Sequence, residues 1–238
     1  MSTPTFTTRC LKNERVANNV YEMLFEKPQG FTFIPGQFVL FQVPLVDDRS
    51  DVQPRAYSLA STPDEEHLLF VMSLKPKGRS SRWIEEVLRE GIEMQFQGPF
   101  GFFLLDQNTP KNYLFICTGA GISPFRSQII TALREGDTRR IDLIFGVRSE
   151  EDLFWQKELE EYTKNYNNFF LHLALSNPSE NWKGHRGHVQ TLIPQIVQDF
   201  SHKNVYICGN PDMTTELKKM CLEEWNVQKE DLHVEGYI

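Results

Sequence analysis

Residues 113–125 read YLFICTGAGISPF. The apolar run Tyr113, Leu114, Phe115, Ile116, Cys117 is strand-sized, and a helix is expected over 124–134. Between them lies Thr118-Gly119-Ala120-Gly121-Ile122-Ser123. A strand, a turn with two glycines and a helix form the context that a dinucleotide phosphate loop requires. The glycines allow the tight turn and the close approach of a pyrophosphate. The full Rossmann fingerprint is not met, because Pro124 occupies the third glycine position. No Gly-Lys-Ser/Thr follows either, so this is not a P-loop.

Working outward toward the C-terminus, strands are expected over 113–117, 141–145, 169–175, 205–208 and 232–234. Helices fit between them at 124–134, 151–166, 189–200 and 212–225. Continuous apolar strands alternating with amphipathic helices imply a parallel sheet covered on both faces. A second loop, Cys208-Gly209-Asn210-Pro211-Asp212-Met213, again joins a strand to a helix. It stands at the carboxyl end of a late strand, where such sheets bind ligands. Gly209 and Pro211 free the backbone for a ligand, and Gly209 and Met213 are counted among the cofactor-binding residues.

Toward the N-terminus the pattern changes near residue 108. Short extended runs at 20–26, 37–43, 55–60, 67–74 and 93–97 are punctuated by Pro28, Gly30, Pro35, Gly36, Pro44, Pro54 and Pro63. Strands at this spacing suggest a small antiparallel barrel. One helix is expected over 81–90, with Trp83, Ile84, Val87 and Leu88 at helical spacing and Ser80 or Ser81 as its N-cap. Residues 1–15 are polar and lack the apolar core of a signal peptide. The polar segment 106–111 reads as the linker between a first domain, 1–107, and a second, 108–238.

Two motifs in the first half point to a phosphate. Arg55-Ala56-Tyr57-Ser58 supplies a cation on a strand. Gly78-Arg79-Ser80-Ser81 opens the predicted helix. Free N–H groups and the positive dipole end at a helix N-terminus attract an anion. That dipole contributes only about 0.3–1 kcal/mol at an exposed site, so a basic side chain such as Arg55 would help hold a doubly charged pyrophosphate.

The chain has 238 residues, 40% hydrophobic and 24% charged, which fits a packed core rather than wholesale disorder. The net charge of -7 argues against general binding of nucleic acid or anionic lipid. No run approaches the ~18 apolar residues of a membrane span. The four cysteines, Cys10, Cys117, Cys208 and Cys221, form no C-x-x-C pair and no zinc or iron–sulfur spacing. They fit a reducing cytoplasm. The six histidines are scattered, so no metal site is expected.

The ordered set of motifs resembles the ferredoxin–NADP reductase family of flavoproteins, from Pro35-Gly36-Gln37-Phe38 to the C-terminus. The resemblance implies a six-stranded antiparallel FAD-binding barrel followed by a five-stranded parallel sheet that binds NAD(P)H. It implies an oxidoreductase passing hydride from NAD(P)H to FAD, and single electrons to a ferredoxin, a flavodoxin or an oxygenase component. Arg55 matches the arginine on the FAD pyrophosphate, Tyr57 the tyrosine on the flavin ring and Ser58 the hydroxyl near flavin N5, with Ala56 between them. Ser73, Leu74 and Lys75 lie where backbone lines the flavin. Gly78, Arg79, Ser80 and Ser81 match the pyrophosphate motif. Thr118, Gly119 and Gly121 match the nicotinamide dinucleotide loop. Cys208 matches the cysteine near the nicotinamide and Glu235 a carboxylate near the redox centre. Ser58, Cys208 and Glu235 are thus the catalytic candidates, and Tyr237 is a candidate cap on the flavin or the adenine. Two other readings stand beside this one: a reductase of free flavin, and a nucleotide-binding subunit without turnover of its own.

Members of the family that use NADP often carry Ser-Arg after the third strand of the second domain. Here the pair is Ser176-Asn177, while Arg148 keeps a position found in both nucleotide classes. Lys183, His185, Arg186 and His188 stand as substitutes for the missing cation. NADH is slightly favoured over NADPH. Lys75, Lys77, Arg79 and Arg82 form a candidate docking patch for an acidic partner. A monomer is expected.

Overall fold

The computed structural model describes residues 3–237. They form two compact units: one of the described residues up to 105 with 123–131, the other of 106–122 with the described residues from 132 onward. Among the described residues no helix is long and apolar enough to cross a membrane.

The first unit contains strands β1 (Thr5–Ala17), β2 (Val20–Glu26), β3 (Phe38–Pro44), β4 (Val52–Ser58) and β5 (His67–Ser73), helix α1 (Arg79–Glu86) and strand β6 (Glu93–Phe100). The strands are antiparallel in the order β4-β3-β6-β1-β2-β5, and the end strands β4 and β5 approach each other, so the sheet curls into a barrel. Its alternating inward residues, among them Met23, Phe25, Val39, Phe41, Leu68, Phe70 and Phe96, make a core rich in aromatic rings.

Strand β1 is absent from the sequence-based expectation. Its residues TFTTRCLKNERVA carry few apolar side chains, yet Thr8 and Cys10 turn inward. It pairs with β6 through Thr5–Arg9 and with β2 from Cys10 onward, with a register shift between Cys10 and Lys12. One polar strand thereby belongs to two neighbours, the adjacent hairpin strand β2 and the distant β6, and its own residues leave little hydrophobic signal.

Helix α1 is shorter than expected and begins earlier. Its N-cap is Gly78, which has no side chain to cap with, and Ser80 and Ser81 are buried in the first turn. The far end is held by Asn13, whose Nδ2 donates to the carbonyls of Ile84 and Leu88, each at 2.8 Å.

The second unit contains β7 (Asn112–Thr118), the start of α2 (Ile122–Arg134), β8 (Ile141–Val147), α3 (Gln156–Asn165), β9 (Phe169–Leu175), β10 (His185–Arg186), α4 (Val189–Ile196), β11 (Lys203–Gly209), α5 (Pro211–Glu223) and β12 (Leu232–Gly236). The sheet is parallel, in the order β10-β9-β8-β7-β11-β12. It has the five expected strands and one two-residue addition at its edge, β10. The central strands β7, β8 and β11 are buried on both faces, which explains their unbroken apolar runs. From β7 the chain moves out through β8, β9 and β10, then returns to β11 on the other side of β7. The order reverses between β7 and β11, and in open α/β sheets the ligand crevice lies at that reversal.

Candidate functional site

In the second unit the loops after β7 and β11 interlock. The first winds through a short 3-10 turn, Gly119–Gly121, directly into α2. A Cβ on Gly121 would lie 2.4 Å from the Cys208 carbonyl oxygen and 2.6 Å from the Gly209 Cα. Gly209 has φ +139°, and a Cβ there would meet Thr118 Oγ1 at 2.6 Å and Thr118 O at 2.8 Å. Thr118 Oγ1 in turn accepts from the Asn210 N–H at 3.3 Å. Only glycine fits either position, so the two backbones close on each other at the strand reversal. This brings Thr118, Gly119, Gly121, Cys208 and Gly209 together as the motifs require.

Asn210 caps α5, accepting from the backbone N–H of Asp212 at 2.8 Å and of Met213 at 3.4 Å, with Pro211 as the first helical residue. That helix end is satisfied internally. The turn entering α2 has Thr118 as N-cap with no side-chain cap, which suits it better to an anion.

Cys208 is fully buried and pairs in register with Glu235 on β12 and with Cys117 on β7. Burial pushes its thiol well above the usual value, the Glu235 carboxylate adds to this, and a hydrogen bond with the Tyr237 side chain eases it back. The thiol is therefore protonated at neutral pH and is no nucleophile. Tyr237 N–H also donates to the Gly209 carbonyl at 2.9 Å. Tyr237 is thus drawn onto the Cys208 loop within its own unit.

The adenosine-side candidates lie at the ends of β8 and β9. Ser176 N–H donates to the Val147 carbonyl at 3.1 Å and Asn177 N–H to that of Arg148 at 2.7 Å, so the ladder continues past the strands. Arg148 is exposed and has no carboxylate partner among the described residues. Of the proposed substitutes, Arg186 is committed: its Nη2 donates to the carbonyls of Ser179, Glu180 and Trp182 at 2.8, 2.9 and 3.1 Å. His185 packs on His172 with ring centroids 5.8 Å apart; burial and the neighbouring His172 hold its pKa down. It is neutral at pH 7, and His188 serves as the N-cap residue of α4.

In the first unit, Arg55 projects from β4. Its Nη1 donates to the Pro54 carbonyl and its Nη2 to Gln53 Oε1, both at 2.8 Å, with no carboxylate partner among the described residues. A half-buried guanidinium left without a counter-ion fits an anionic ligand. Tyr57 packs edge-on against Phe41 with ring centroids 5.8 Å apart, and its hydroxyl meets Met72 Sδ at 3.4 Å. Burial raises its pKa to about 12, with the Ser80 hydroxyl working the other way. Ser58 ends β4 as a buried hydroxyl, next to Ala56 and Tyr57 on the strand.

The segment from Ser73 to Ser81 folds as one turn. Leu74 N–H donates to Asn19 O, Gly78 N–H to Lys75 O, and Lys75 N–H to Ser81 Oγ at 2.8 Å. Ser81 therefore braces the turn that leads into α1 and does not cap the helix. Arg79 is paired within the unit. Its guanidinium donates to Asp51 O and Asp51 Oδ2, both at 2.7 Å. Arg82 is likewise held by Asp47 and Glu86. Of the four cations in the candidate docking patch, Lys75 and Lys77 alone remain exposed and without a carboxylate partner among the described residues. Asp51 lies 28 positions from Arg79, so no local spacing announces the pair.

Sequence reading also missed Arg126. On α2, within the stretch that groups with the barrel, its Nη1 donates to the Ala60 carbonyl at 2.7 Å. Nη1 and Nη2 also bond Glu65 at 3.2 and 3.1 Å. Glu65 accepts in addition from the Thr62 N–H at 2.8 Å. Two residues further on, Gln128 Nε2 donates to Phe103 O at 2.6 Å. The Arg126 and Glu65 bonds fix the segment just after Ser58.

With this geometry in place, comparison with known proteins gives a consistent result. A family model described as the oxidoreductase NAD-binding domain matches residues 115–219. A protein named ferredoxin–NADP reductase B, from Sorangium cellulosum, is 30% identical over 240 residues, covering 98% of this chain and 97% of its own. The anthranilate 1,2-dioxygenase electron transfer component of Acinetobacter baylyi is 29% identical over 207 residues; this chain spans 58% of its length. A solved ferredoxin NADP+ reductase from Neisseria gonorrhoeae, with bound FAD and NADP, superposes with a TM-score of 0.84 at 21% identity, covering 98% of both chains. That last likeness is one of fold. The match along the full length of the Sorangium protein goes further: this chain belongs to the ferredoxin–NADP reductase family of flavoprotein oxidoreductases.

Proposed function

We propose that this chain binds FAD on its barrel unit and a reduced nicotinamide nucleotide on its parallel-sheet unit, and delivers electrons to a ferredoxin, a flavodoxin or an oxygenase component. The observation that carries the reading is that each unit presents a phosphate cradle of its own. One is Arg55 with the uncapped start of α1; the other is the interlocked Thr118–Gly121 and Cys208–Asn210 loops.

FAD, when bound, supplies hydride acceptance and the release of electrons one at a time. The protein's own work is binding and orientation. Arg55 and the first N–H groups of α1 hold the pyrophosphate. Ser81 and Gly78 set the shape of that turn, and the Asp51–Arg79 pair anchors it. Tyr57 packs on the flavin ring, Ser58 hydrogen-bonds it, and the Ser73–Lys75 backbone lines it. The turn at Thr118–Gly121 takes the nucleotide phosphates. Cys208, protonated, shapes the nicotinamide pocket, and Glu235 holds a proton-accepting group beside it. With Arg186 tied to carbonyls and His185 neutral, NADH is the preferred nucleotide. Four free buried thiols match a reducing cytoplasm.

The test is to mix the purified protein anaerobically with NADH or NADPH and follow the visible flavin band. A yellow protein bleached faster by NADH supports the reading. A colourless protein that oxidises nucleotide only with added flavin would replace it with a free-flavin reductase. A yellow protein bleached by neither would point to a subunit without turnover.

A further inference from the structure

The turn after β8 is joined to the loop after β9 by one side chain. Glu150 opens the short 3-10 turn Glu150–Asp152, which is held by a capping box between Ser149 and Asp152. The Glu150 carboxylate accepts from the Ser179 N–H at 3.0 and 3.2 Å and from Ser179 Oγ at 2.6 Å. Ser179 lies in the loop whose carbonyls Arg186 gathers. The Ser179 donors hold the Glu150 carboxyl below its usual range, so it is charged at neutral pH.

This clip spans the carboxyl ends of β8 and β9, beside Arg148 and the Ser176–Asn177 pair. A dinucleotide whose pyrophosphate lies on the turn after β7 extends its adenosine over the ends of the neighbouring strands. On that side stand Arg148 and Lys183, exposed and without a carboxylate partner among the described residues, and the fixed anion Glu150, whose carboxyl the charge of Arg186 lowers further. The anion offsets the cation that a 2′-phosphate needs, and a carboxylate fixed by three hydrogen-bond contacts cannot turn away. A free ribose carries no such charge, and its hydroxyls can donate to a carboxylate.

Resting on the assignment of the second unit as the nucleotide site, we propose that Glu150 is a specificity residue, whose carboxylate discriminates against the 2′-phosphate of NADPH. Ser179 is its positioning partner. The clip is a pair of residues on two different loops, which is why neither motif reading nor the family pattern at Ser176-Asn177 reveals it.

Glu150→Gln separates charge from geometry, because the amide oxygen still accepts from Ser179. The holoprotein is assayed with both nucleotides, and binding of 2′,5′-ADP and of 5′-AMP is measured by calorimetry. The expected result is a rise of about tenfold in the NADPH-to-NADH ratio of kcat/KM, with tighter 2′,5′-ADP binding. Glu150→Ala, which also releases the loop, should raise the ratio as well but weaken 5′-AMP binding. An unchanged ratio and unchanged 2′,5′-ADP affinity in Glu150→Gln would overturn the proposal. Preference of the wild-type protein for NADPH would overturn the NADH assignment instead, and the Gln variant would still decide the role of Glu150.

Discussion

Arg126 and Ala60 are 66 positions apart in sequence, and the arginine's Nη1 stands 2.7 Å from the alanine's carbonyl oxygen. The guanidinium is 7% exposed, and its carboxylate partner Glu65 is itself tied to the Thr62 backbone. Removing one member of a buried ion pair costs about 3–5 kcal/mol. Because Glu65 is partly hydrated, Arg126→Ala is expected at the lower end, about 3 kcal/mol. Urea denaturation checks this. A loss below about 1 kcal/mol would show that Ala60 and Glu65 do not depend on Arg126.

Arg55 and Arg79 should separate in flavin titrations. Arg55 lacks a carboxylate partner, whereas Arg79 is paired with Asp51. Arg55→Ala should weaken FAD binding by tenfold or more, about 1.4 kcal/mol or greater. Arg79→Ala should chiefly loosen the loop around Asp51 and cost FAD less. Fluorescence titration of the apoprotein decides, and equal losses would return Arg79 to the list of direct phosphate ligands.

A methyl group at Gly121 would press into the Cys208 carbonyl and the Gly209 Cα. These are backbone atoms of a buried strand end and cannot rotate aside. Gly121→Ala should therefore weaken nucleotide binding by at least tenfold, about 1.4 kcal/mol, while the flavin spectrum stays in place. Gly136, which has nothing within 4 Å of a built Cβ but a φ of +81°, is the control: there alanine strains the backbone without touching the cradle.

The four thiols should resist modification in the native protein. Burial raises Cys10 to about 11 and Cys221 to about 12, and holds Cys117 and Cys208 well above the normal value. Little thiolate exists at pH 8. Mass spectrometry after iodoacetamide should find no native adduct and four adducts in denaturant. Rapid native labelling at Cys208 would contradict its protonated, enclosed state.

Acid should weaken the protein through Asp142. Burial alone would raise its carboxyl, but Arg140, His172 and Lys203 outweigh that and hold it below the ordinary value. The unfolded chain then binds the proton more readily than the native one. The stabilisation is fully present above the unfolded value of about 3.9 and is lost as pH falls through the lower native value. Melting temperature followed from pH 6 downward should drop below about pH 4, and less steeply in Asp142→Asn. Parallel curves for the two proteins would exclude Asp142 as the source.

Most of the second unit was legible because its signals are local. The runs 113–117 and 205–208 are buried on a two-sided sheet, and apolar continuity survives in the sequence. The glycines at 121 and 209 advertised their turns for the same reason. What stayed hidden joins distant residues: polar β1 pairs with β6, Asp51 takes Arg79, Glu150 clips Ser179, and Arg126 reaches Ala60. The capping role expected of Ser80 or Ser81 failed on a geometric point. A serine just inside a helix can look like a cap, while its hydroxyl turns back to the Lys75 N–H.

Helix α2 starts at the nucleotide turn, yet its stretch from 123 to 131 shares its contacts with the barrel. A chain divided at residue 107 would leave the barrel without Arg126 and Gln128, and would expose their uncompensated polar groups on the other fragment. A cut at the polar linker therefore parts the barrel unit from the helical stretch that shares its contacts. A recombination that preserves function must carry α2 together with the barrel it grips, or supply an equivalent helix.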